Sequence, residues 1–417
     1  MQKPIFVAFA FQRLSGNQRN LRTQFKDKNS YLYMKHLILF VHFVLSLLLI
    51  SCASGSQEDT CLEGISIDFG NPQSIKFSDI ATDFSFVKLE SSDSSLFGNI
   101  DQIEIFNERI YILDSYNTHS LLVFSLAGDF ITKLEAKGNG PGEFIDPYSF
   151  KIDPMGYIYI LDRISSRLLK YKLNSLEFVE MITLPYPSPL SFSMLSSKNL
   201  FVYYYPIRRN SDLGRSQIVI ADKTGKIIKT LYEGDDSGKI LHGNPDNIYR
   251  YEDSIRIYPY FTNQIYNLGK DSLSVCYDLS WGKREMPDKD LFKKTEDSNQ
   301  IMKEILAGEN DWIRLLYVYE LDDALLTKYY IKRDFYLSGW NKRTHTVFNV
   351  KAENIIDDSG IGAPFPLPIG VYDQQLIGTI NPYEINRKKV QDKELRSFLN
   401  NLTDESNPLL VFYKMRL

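Results

Sequence analysis

From about residue 84 onward the chain is built of short runs in which apolar residues alternate with polar ones or stand four or five together, each run closed by Gly, Asn, Asp or Pro. Runs of this length, rich in Ile, Val, Tyr and Phe, predict β-strands, because branched and aromatic side chains fit a pleated, half-buried surface. Helices would show apolar residues three and four apart. The runs also recur. Ile110-Tyr111-Ile112-Leu113-Asp114 returns as Ile158-Tyr159-Ile160-Leu161-Asp162, an offset of 48. The next strand and turn repeat with it: Leu122-Val123-Phe124 before Gly128-Asp129-Phe130 matches Leu168-Leu169-Lys170-Tyr171 before Leu176-Glu177-Phe178. A third copy runs through Ile218-Val219-Ile220, Asp222 and Gly225-Lys226-Ile227, with Gly225 97 residues after Gly128, two periods to within one residue.

A period of 40 to 50 residues made of four short strands and tight turns is the signature of a propeller blade. Tyr266-Asn267-Leu268, turning at Gly269-Lys270-Asp271 into Leu273 to Tyr277, reads as the outer hairpin of a fourth blade. Asp334 to Leu337, turning near Asn341-Lys342-Arg343 into Thr346 to Val350, reads as that of a fifth. Between them the spacing stretches by the length of Asp288 to Ala307, whose Leu291, Ile301 and Ile305 among many charges predict an inserted helix. The last copy has strands at Gln375 to Ile380 and Leu409 to Tyr413, with a helix expected over Tyr383 to Leu399, but the chain stops before an outermost strand. An unpaired edge would invite aggregation. Phe84 to Glu90 is a strand with no blade of its own, so it is expected to pair with Leu409 to Tyr413. The expectation is an all-β, six-bladed propeller over residues 64–417, closed by an N-terminal strand joining the last blade and carrying two short helical insertions.

Composition agrees with a folded chain: of 417 residues, 43% are hydrophobic and 24% charged, too apolar for disorder. Charge is unevenly placed. Residues 1–51 carry seven Lys/Arg against the single acid Asp27, which leaves 41 Lys/Arg and 51 Asp/Glu in the remainder, a formal charge of -10. A domain this acidic is a poor match for a phosphate backbone, so nucleic acid is not an expected partner.

The basic segment ends in an export pattern. Met34-Lys35-His36 precedes an apolar run from Leu37 to Ile50, too short for a comfortable membrane span, and then Ser51-Cys52. Leu49-Ile50-Ser51-Cys52 resembles the bacterial lipobox, in which the cysteine is lipidated and becomes the new N-terminus. The expected organisation is an upstream extension over 1–33, a lipoprotein signal over 34–51, a tether over 52–63 starting at the lipidated Cys52, and the propeller. Gln57-Glu58-Asp59 resembles an acidic surface-export signal but sits late for one. Of the other cysteines, Cys61 beside the tether and Cys276 in a strand-like run are expected as separate thiols.

Lys137-Gly138-Asn139-Gly140-Pro141-Gly142-Glu143-Phe144, the Ile-Tyr-Ile-Leu-Asp repeats, the lipobox and the terminal Asn407-Pro408-Leu409-Leu410-Val411-Phe412-Tyr413-Lys414 together resemble the 6-bladed β-propeller lipoproteins of Bacteroidetes-type genomes, distant relatives of NHL-repeat propellers. The resemblance implies a fold and an outer-membrane, periplasmic or surface-facing location; it implies no specific activity.

Candidate chemistry is sparse. The Gly138 to Phe144 loop lacks the Lys-Ser/Thr ending of a phosphate loop and is expected as an interblade turn, with Phe144 starting the next blade. Asp114 and Asp162 share a repeat position at a strand end, where a carboxylate can accept backbone N–H groups of the following turn. Tyr203-Tyr204-Tyr205-Pro206-Ile207-Arg208-Arg209 and Tyr258-Pro259-Tyr260-Phe261 break the repeat. Tyr203, Tyr204, Tyr205, Arg208, Arg209, Tyr258 and Tyr260, with His242 in the loop between the two runs, are therefore the candidate ligand-binding residues; packing of the aromatics between blades is the simpler alternative. His119 and His345 stand apart near turns, so no His-based metal cluster or catalytic triad is read, and no cofactor is expected. A monomeric binding or interaction module at the envelope, meeting a glycan or other envelope proteins, is favoured over its rival, a lactonase-like hydrolase or polysaccharide lyase with a metal in the channel.

Overall fold

The computed structural model describes residues 62–70, 74–195, 199–205, 216–233, 246–287, 297, 300, 303–304 and 310–416. Cys52, Cys61, Arg208, Arg209, His242 and most of the helix expected over Asp288 to Ala307 lie outside the described residues.

Six sheets follow one another, each built on four antiparallel strands that are consecutive in sequence in the first five. Blade 1 is Gln102–Phe106, Arg109–Asp114, Ser120–Ser125 and Phe130–Leu134; blade 2 is Pro147–Asp153, Tyr157–Asp162, Arg167–Lys172 and Phe178–Thr183. Blade 3 is Ser191–Leu195, Leu200–Tyr204, Ser216–Asp222 and Ile227–Glu233; blade 4 is Ile248–Tyr251, Ser254–Ile257, Gln264–Leu268 and Leu273–Ser280. Blade 5 is Arg314–Glu320, Ala324–Ile331, Asp334–Asn341 and Val347–Lys351. Blade 6 takes Pro368–Tyr372, Gln375–Ile380 and Leu409–Met415 from the end of the chain and Ala81–Lys88 from its beginning, with Leu409 opposite Lys88 and Val411 opposite Phe86.

The first strand of each blade is innermost. Those of blades 1 to 4 touch in succession, as do those of blades 5, 6 and 1. Blades 4 and 5 meet at Glu320, whose wholly buried carboxylate accepts from Tyr249 Oη at 2.9 Å, Tyr277 Oη at 2.6 Å and Arg256 Nε at 3.2 Å, all of blade 4, and from Lys342 Nζ at 3.0 Å. Burial explains the sequence pattern. Second strands such as Arg109–Asp114 are apolar almost throughout because both faces are covered, whereas outer strands such as Phe130–Leu134 alternate because one face meets water.

The repeat is visible in detail. The outer hairpins of blades 1 to 4 each carry a register shift at the equivalent place, between Val123 and Phe124, Lys170 and Tyr171, Ile220 and Ala221, and Ile265 and Tyr266. Gly128, at φ +98°, lies in the blade 1 hairpin turn, where a Cβ would collide with the Lys88 carbonyl; its own carbonyl accepts Glu90 N–H at 2.8 Å. That contact seats the segment after the borrowed strand of blade 6 against blade 1.

Three details differ from the sequence reading. Tyr383 to Leu399 is not one helix: a 3₁₀ turn at Pro382–Glu384 is followed by a loop whose Asn386 and Gln391 N–H groups donate to Gly362 and Gly360 carbonyls. The helix proper is only Lys393–Phe398, started by Asp392, whose carboxylate accepts Leu395 N–H at 2.9 Å. Phe144 is buried and bridges Lys137, but the inner strand of blade 2 begins at Pro147. Finally, Glu63–Ser66 adds a fifth strand to blade 4, parallel to its outer strand with Ser66 opposite Ser280, and Ile75–Lys76 pairs with Ile355–Ile356.

Candidate functional site

The site is organised by what stands at the end of each blade's second strand. In blade 1 this is Asp114, which accepts Gly98 N–H at 2.8 Å, Asn117 N–H at 3.0 Å and Thr118 N–H at 3.2 Å. In blade 2 it is Asp162, which accepts Ile145 and Asp146 N–H at 3.1 Å, Ser165 N–H at 3.3 Å and the Arg167 guanidinium at 3.0 Å. Burial works to raise both carboxyls, but these donors outweigh it and hold each below the ordinary aspartate value. Both aspartates are structural clasps for the turns around them.

In blades 3 and 4 the equivalent positions carry Tyr205 and Tyr258. Here the aromatics are packed between blades, the simpler of the two alternatives that the sequence left open. Tyr203, Tyr204 and Tyr205 are at most 2% exposed and Tyr258 is 2% exposed, because a second strand is covered by its neighbours on both faces. Tyr203 lies between the rings of Phe201 and Tyr205, and its buried hydroxyl has no hydrogen-bond partner among the described residues. Tyr204 Oη accepts Tyr260 N–H at 2.8 Å, and its ring meets that of Tyr260 edge-on at 5.6 Å. Tyr205 Oη donates to the Tyr186 carbonyl at 3.0 Å. The sequence candidates thus form an interblade aromatic core, with Tyr260 alone half-exposed.

Tyr260 leads to the channel. Its phenol lies within electrostatic reach of those of Tyr148, Tyr258 and Tyr317, and Tyr148 is within reach of Tyr116, so phenols carried by blades 1, 2, 4 and 5 influence one another. Burial pushes the Tyr317 phenol up to about 12. The Arg163 guanidinium lies over Tyr148 at 4.1 Å. Deeper in, the charges engage one another: Lys151 Nζ is 3.2 Å from Glu104 and 3.5 Å from Asp246, and Gln102 Nε2 donates to Asp246 at 2.9 Å. Burial pulls the Lys151 ammonium down, but the two carboxylates outweigh it and raise it; burial raises Glu104 against the pull of Lys151. Lys328, in the blade 5 wall, donates to the Pro368 carbonyl at 2.7 Å and lies 4.6 Å from the Tyr317 ring centre. Burial lowers it to about 8 despite the charge of Asp246. Among the described residues no three His, Cys, Asp or Glu side chains gather as metal ligands.

The sequence reading missed these channel residues. Aligning the inner strands by the repeat would have found some of them, since Gln102 and Glu104 of blade 1 match Ser149 and Lys151 of blade 2, and these pairs do meet: Ser149 Oγ donates to Gln102 at 3.2 Å.

Just beyond Tyr260 is a groove of about 510 Å³ between blades 3 and 4, within the range of ligand pockets. Among the described residues three rings line it: Tyr232 from blade 3, Phe261 from the loop after Tyr260, and Tyr266 from blade 4. Tyr232 and Tyr266 meet edge-on at 5.4 Å. Tyr232 and Phe261 hold positive φ, +56° and +58°, uncommon for bulky residues. Between the rings stand the amides of Asn263, whose Oδ1 accepts Trp281 Nε1 at 3.0 Å, and Gln264, whose Oε1 accepts Tyr266 Oη at 2.7 Å. Asp278 and Glu285 supply carboxylates.

The comparisons with known proteins concern the fold. A family profile described as 6-bladed beta-propeller matches residues 56–379. A crystal structure of a candidate exported protein from Bacteroides fragilis NCTC 9343 superimposes with a TM-score of 0.72 at 23% identity, covering 85% of this chain and 100% of that one. The Pan2 WD40 domain of Neurospora crassa matches more loosely, with a TM-score of 0.39 at 10% identity over 75% of this chain and 79% of that one. No curated protein matches the chain. No helix among the described residues is long and apolar enough to cross a membrane. With the six blades and the profile in agreement over most of its length, the chain belongs to the DUF5128 family of 6-bladed β-propellers.

Proposed function

We propose that this propeller is an exported, lipid-anchored envelope protein that binds a glycan at the phenols around Tyr260 and the neighbouring groove. The observation that carries this reading is the groove itself, where three aromatic rings stand beside two fixed amides and two carboxylates. Sugars present an apolar ring face and a rim of hydroxyls, and such a lining offers a partner to each. The export pattern ending at Cys52 supports an envelope location, with the lipid holding the protein at the outer membrane, periplasmic or surface side. Arg208, Arg209 and His242 belong to the proposal as residues that flank Tyr205 and Asp246 in sequence. Capture of nutrient glycans, alone or with other envelope proteins, is the role this arrangement suits.

A hydrolase or lyase acting in the channel would need free acids or a nucleophile beside a base. There Glu104 and Asp246 are held by Lys151 and Gln102, which favours binding over catalysis. The test is a glycan panel probed with the soluble domain and with a Tyr232→Ala, Tyr266→Ala double variant. Binding that weakens at least tenfold while the urea midpoint is kept supports the proposal; a domain that binds no member of the panel ends it.

A further inference from the structure

We infer that the seam between blades 4 and 5 is a strand-docking site, filled within one chain by residues 63–69 and able to take the same residues from a second copy. The inference goes beyond the glycan reading and does not depend on it. Its basis is the way the segment is held. Glu63–Ser66 pairs in parallel with the outer strand of blade 4, Glu63 opposite Tyr277 and Ser66 opposite Ser280, and Ile67 N–H donates to the Ser280 carbonyl at 2.7 Å. Every second side chain enters the seam. Ile65 and Ile67 are at most 3% exposed, and the Phe69 ring meets those of Tyr329 and Tyr336 of blade 5 edge-on at 6.3 and 6.1 Å. Gly64, Ser66 and Asp68, between them, are exposed. On the blade 5 side Asn349 Nδ2 donates to the Asp68 carbonyl at 3.1 Å.

An extended peptide adds to a sheet edge in this way, with main-chain hydrogen bonds for affinity and pockets for alternate side chains for selectivity. The receiving surface is the Tyr277 to Ser280 edge of blade 4 together with Leu325, Trp340 and Val347 of blade 5. These residues lie far along the chain, as Asn349 does from Asp68, 281 residues away, so nothing local ties the segment to its own copy. The same segment from a second copy would meet identical contacts, which makes exchange a low-cost route to a dimer. Two features let the segment leave. Its pairing is four residues long with one face in water, which places it at the low-stability end of the fold. Packing against it is also incomplete: a cavity of about 10 Å³ is lined by Ile65 and Ile67 together with Leu279, Leu325 and Trp340. Within one chain the segment has the advantage of a high effective concentration, so a second copy competes where the protein is crowded.

The experiment traps the segment where it docks. In the soluble chain, residues 53–417, with Cys61→Ser and the buried Cys276 kept, Ser66→Cys and Ser280→Cys place thiols at opposed, exposed positions. Both sites are exposed, so the variants are expected to keep their urea midpoint. Oxidation of the doubly substituted chain at low concentration should link 66 to 280 within one copy; failure of this link would overturn the docking register. The two single variants, mixed and oxidised at about 1 mM, near the effective concentration that a short flexible link provides, should give a disulfide between 66 of one copy and 280 of the other, identified by peptide mass. Dilution by about a hundredfold should cut the yield by about tenfold or more, because the segment of the same chain then wins. A second arm replaces the donor chain by a labelled peptide of residues 62–70 with Ser66→Cys. Its capture by the Ser280→Cys chain should fall by about tenfold or more when it also carries Ile65→Asp and Ile67→Asp, because the floor of the seam is apolar. No link between copies, beside a closed link within one copy, would overturn the inference and leave the glycan reading standing. Equal capture of the two peptides would overturn it as well, since thiols that meet by chance need no docking.

Discussion

Blades 1 and 2 and blades 3 and 4 solve the same problem differently. At the end of the second strand the first pair uses an aspartate whose oxygens gather the N–H groups of nearby turns, and the loops that follow, Ser115 to His119 and Arg163 to Ser166, are short. The second pair places Tyr205 and Tyr258 there, and the next strands begin at Ser216 and Gln264. An ionised clasp fixes its own turn. A tyrosine secures its strand through ring packing and one hydroxyl, and it is this second pair of blades that flanks the groove.

The contrast can be broken most severely at Asp162. Asp162→Ala leaves three backbone donors without their acceptor in a buried position and removes the ion pair of Arg167, which keeps the Asn139 and Glu143 carbonyls, and is expected to lower stability by about 3 kcal/mol in urea unfolding. A loss below about 1 kcal/mol would mean that the clasp is ornamental. Acid should expose a smaller difference at Asp114. Its folded-state carboxyl is held below the ordinary value, so its contribution is complete above the unfolded value of about 3.9 and is lost as the pH falls through the folded value. Urea midpoints followed from pH 6 to pH 3 should fall less steeply in Asp114→Asn than in the wild type. The smallest effect is expected in the aromatic pair: Tyr204→Phe removes only the acceptor for Tyr260 N–H and should cost about 1 kcal/mol, with no change in the acid limb.

The sequence made the blades legible because the outer hairpins of blades 1 to 4 repeat the same local chemistry, a bulge at an equivalent place, with glycine at positive φ in the turns of blades 1 and 3, Gly128 and Gly225. The expected helix over Tyr383 to Leu399 came out short because Asn386 and Gln391 hydrogen-bond to the distant Gly362 and Gly360, a tertiary preference that no local pattern carries. The site was less legible still. Tyr203 and Tyr204 stand out in sequence because they break a repeat, yet a second strand in this architecture is buried on both faces, so prominence there marks packing. The groove draws Tyr232, Phe261, Tyr266, Asp278 and Glu285 from separate stretches, none remarkable alone.

The pairing of Ala81–Lys88 with Leu409–Met415 has a kinetic consequence. Blade 6 joins strands far apart in sequence, so its sheet cannot form until Leu409–Met415 has left the ribosome, and the search for this contact closes a very long loop. Early blades can assemble while synthesis continues; completion must wait. Removal of the Leu409–Met415 strand should therefore leave a protein that is slow to mature and prone to proteolysis.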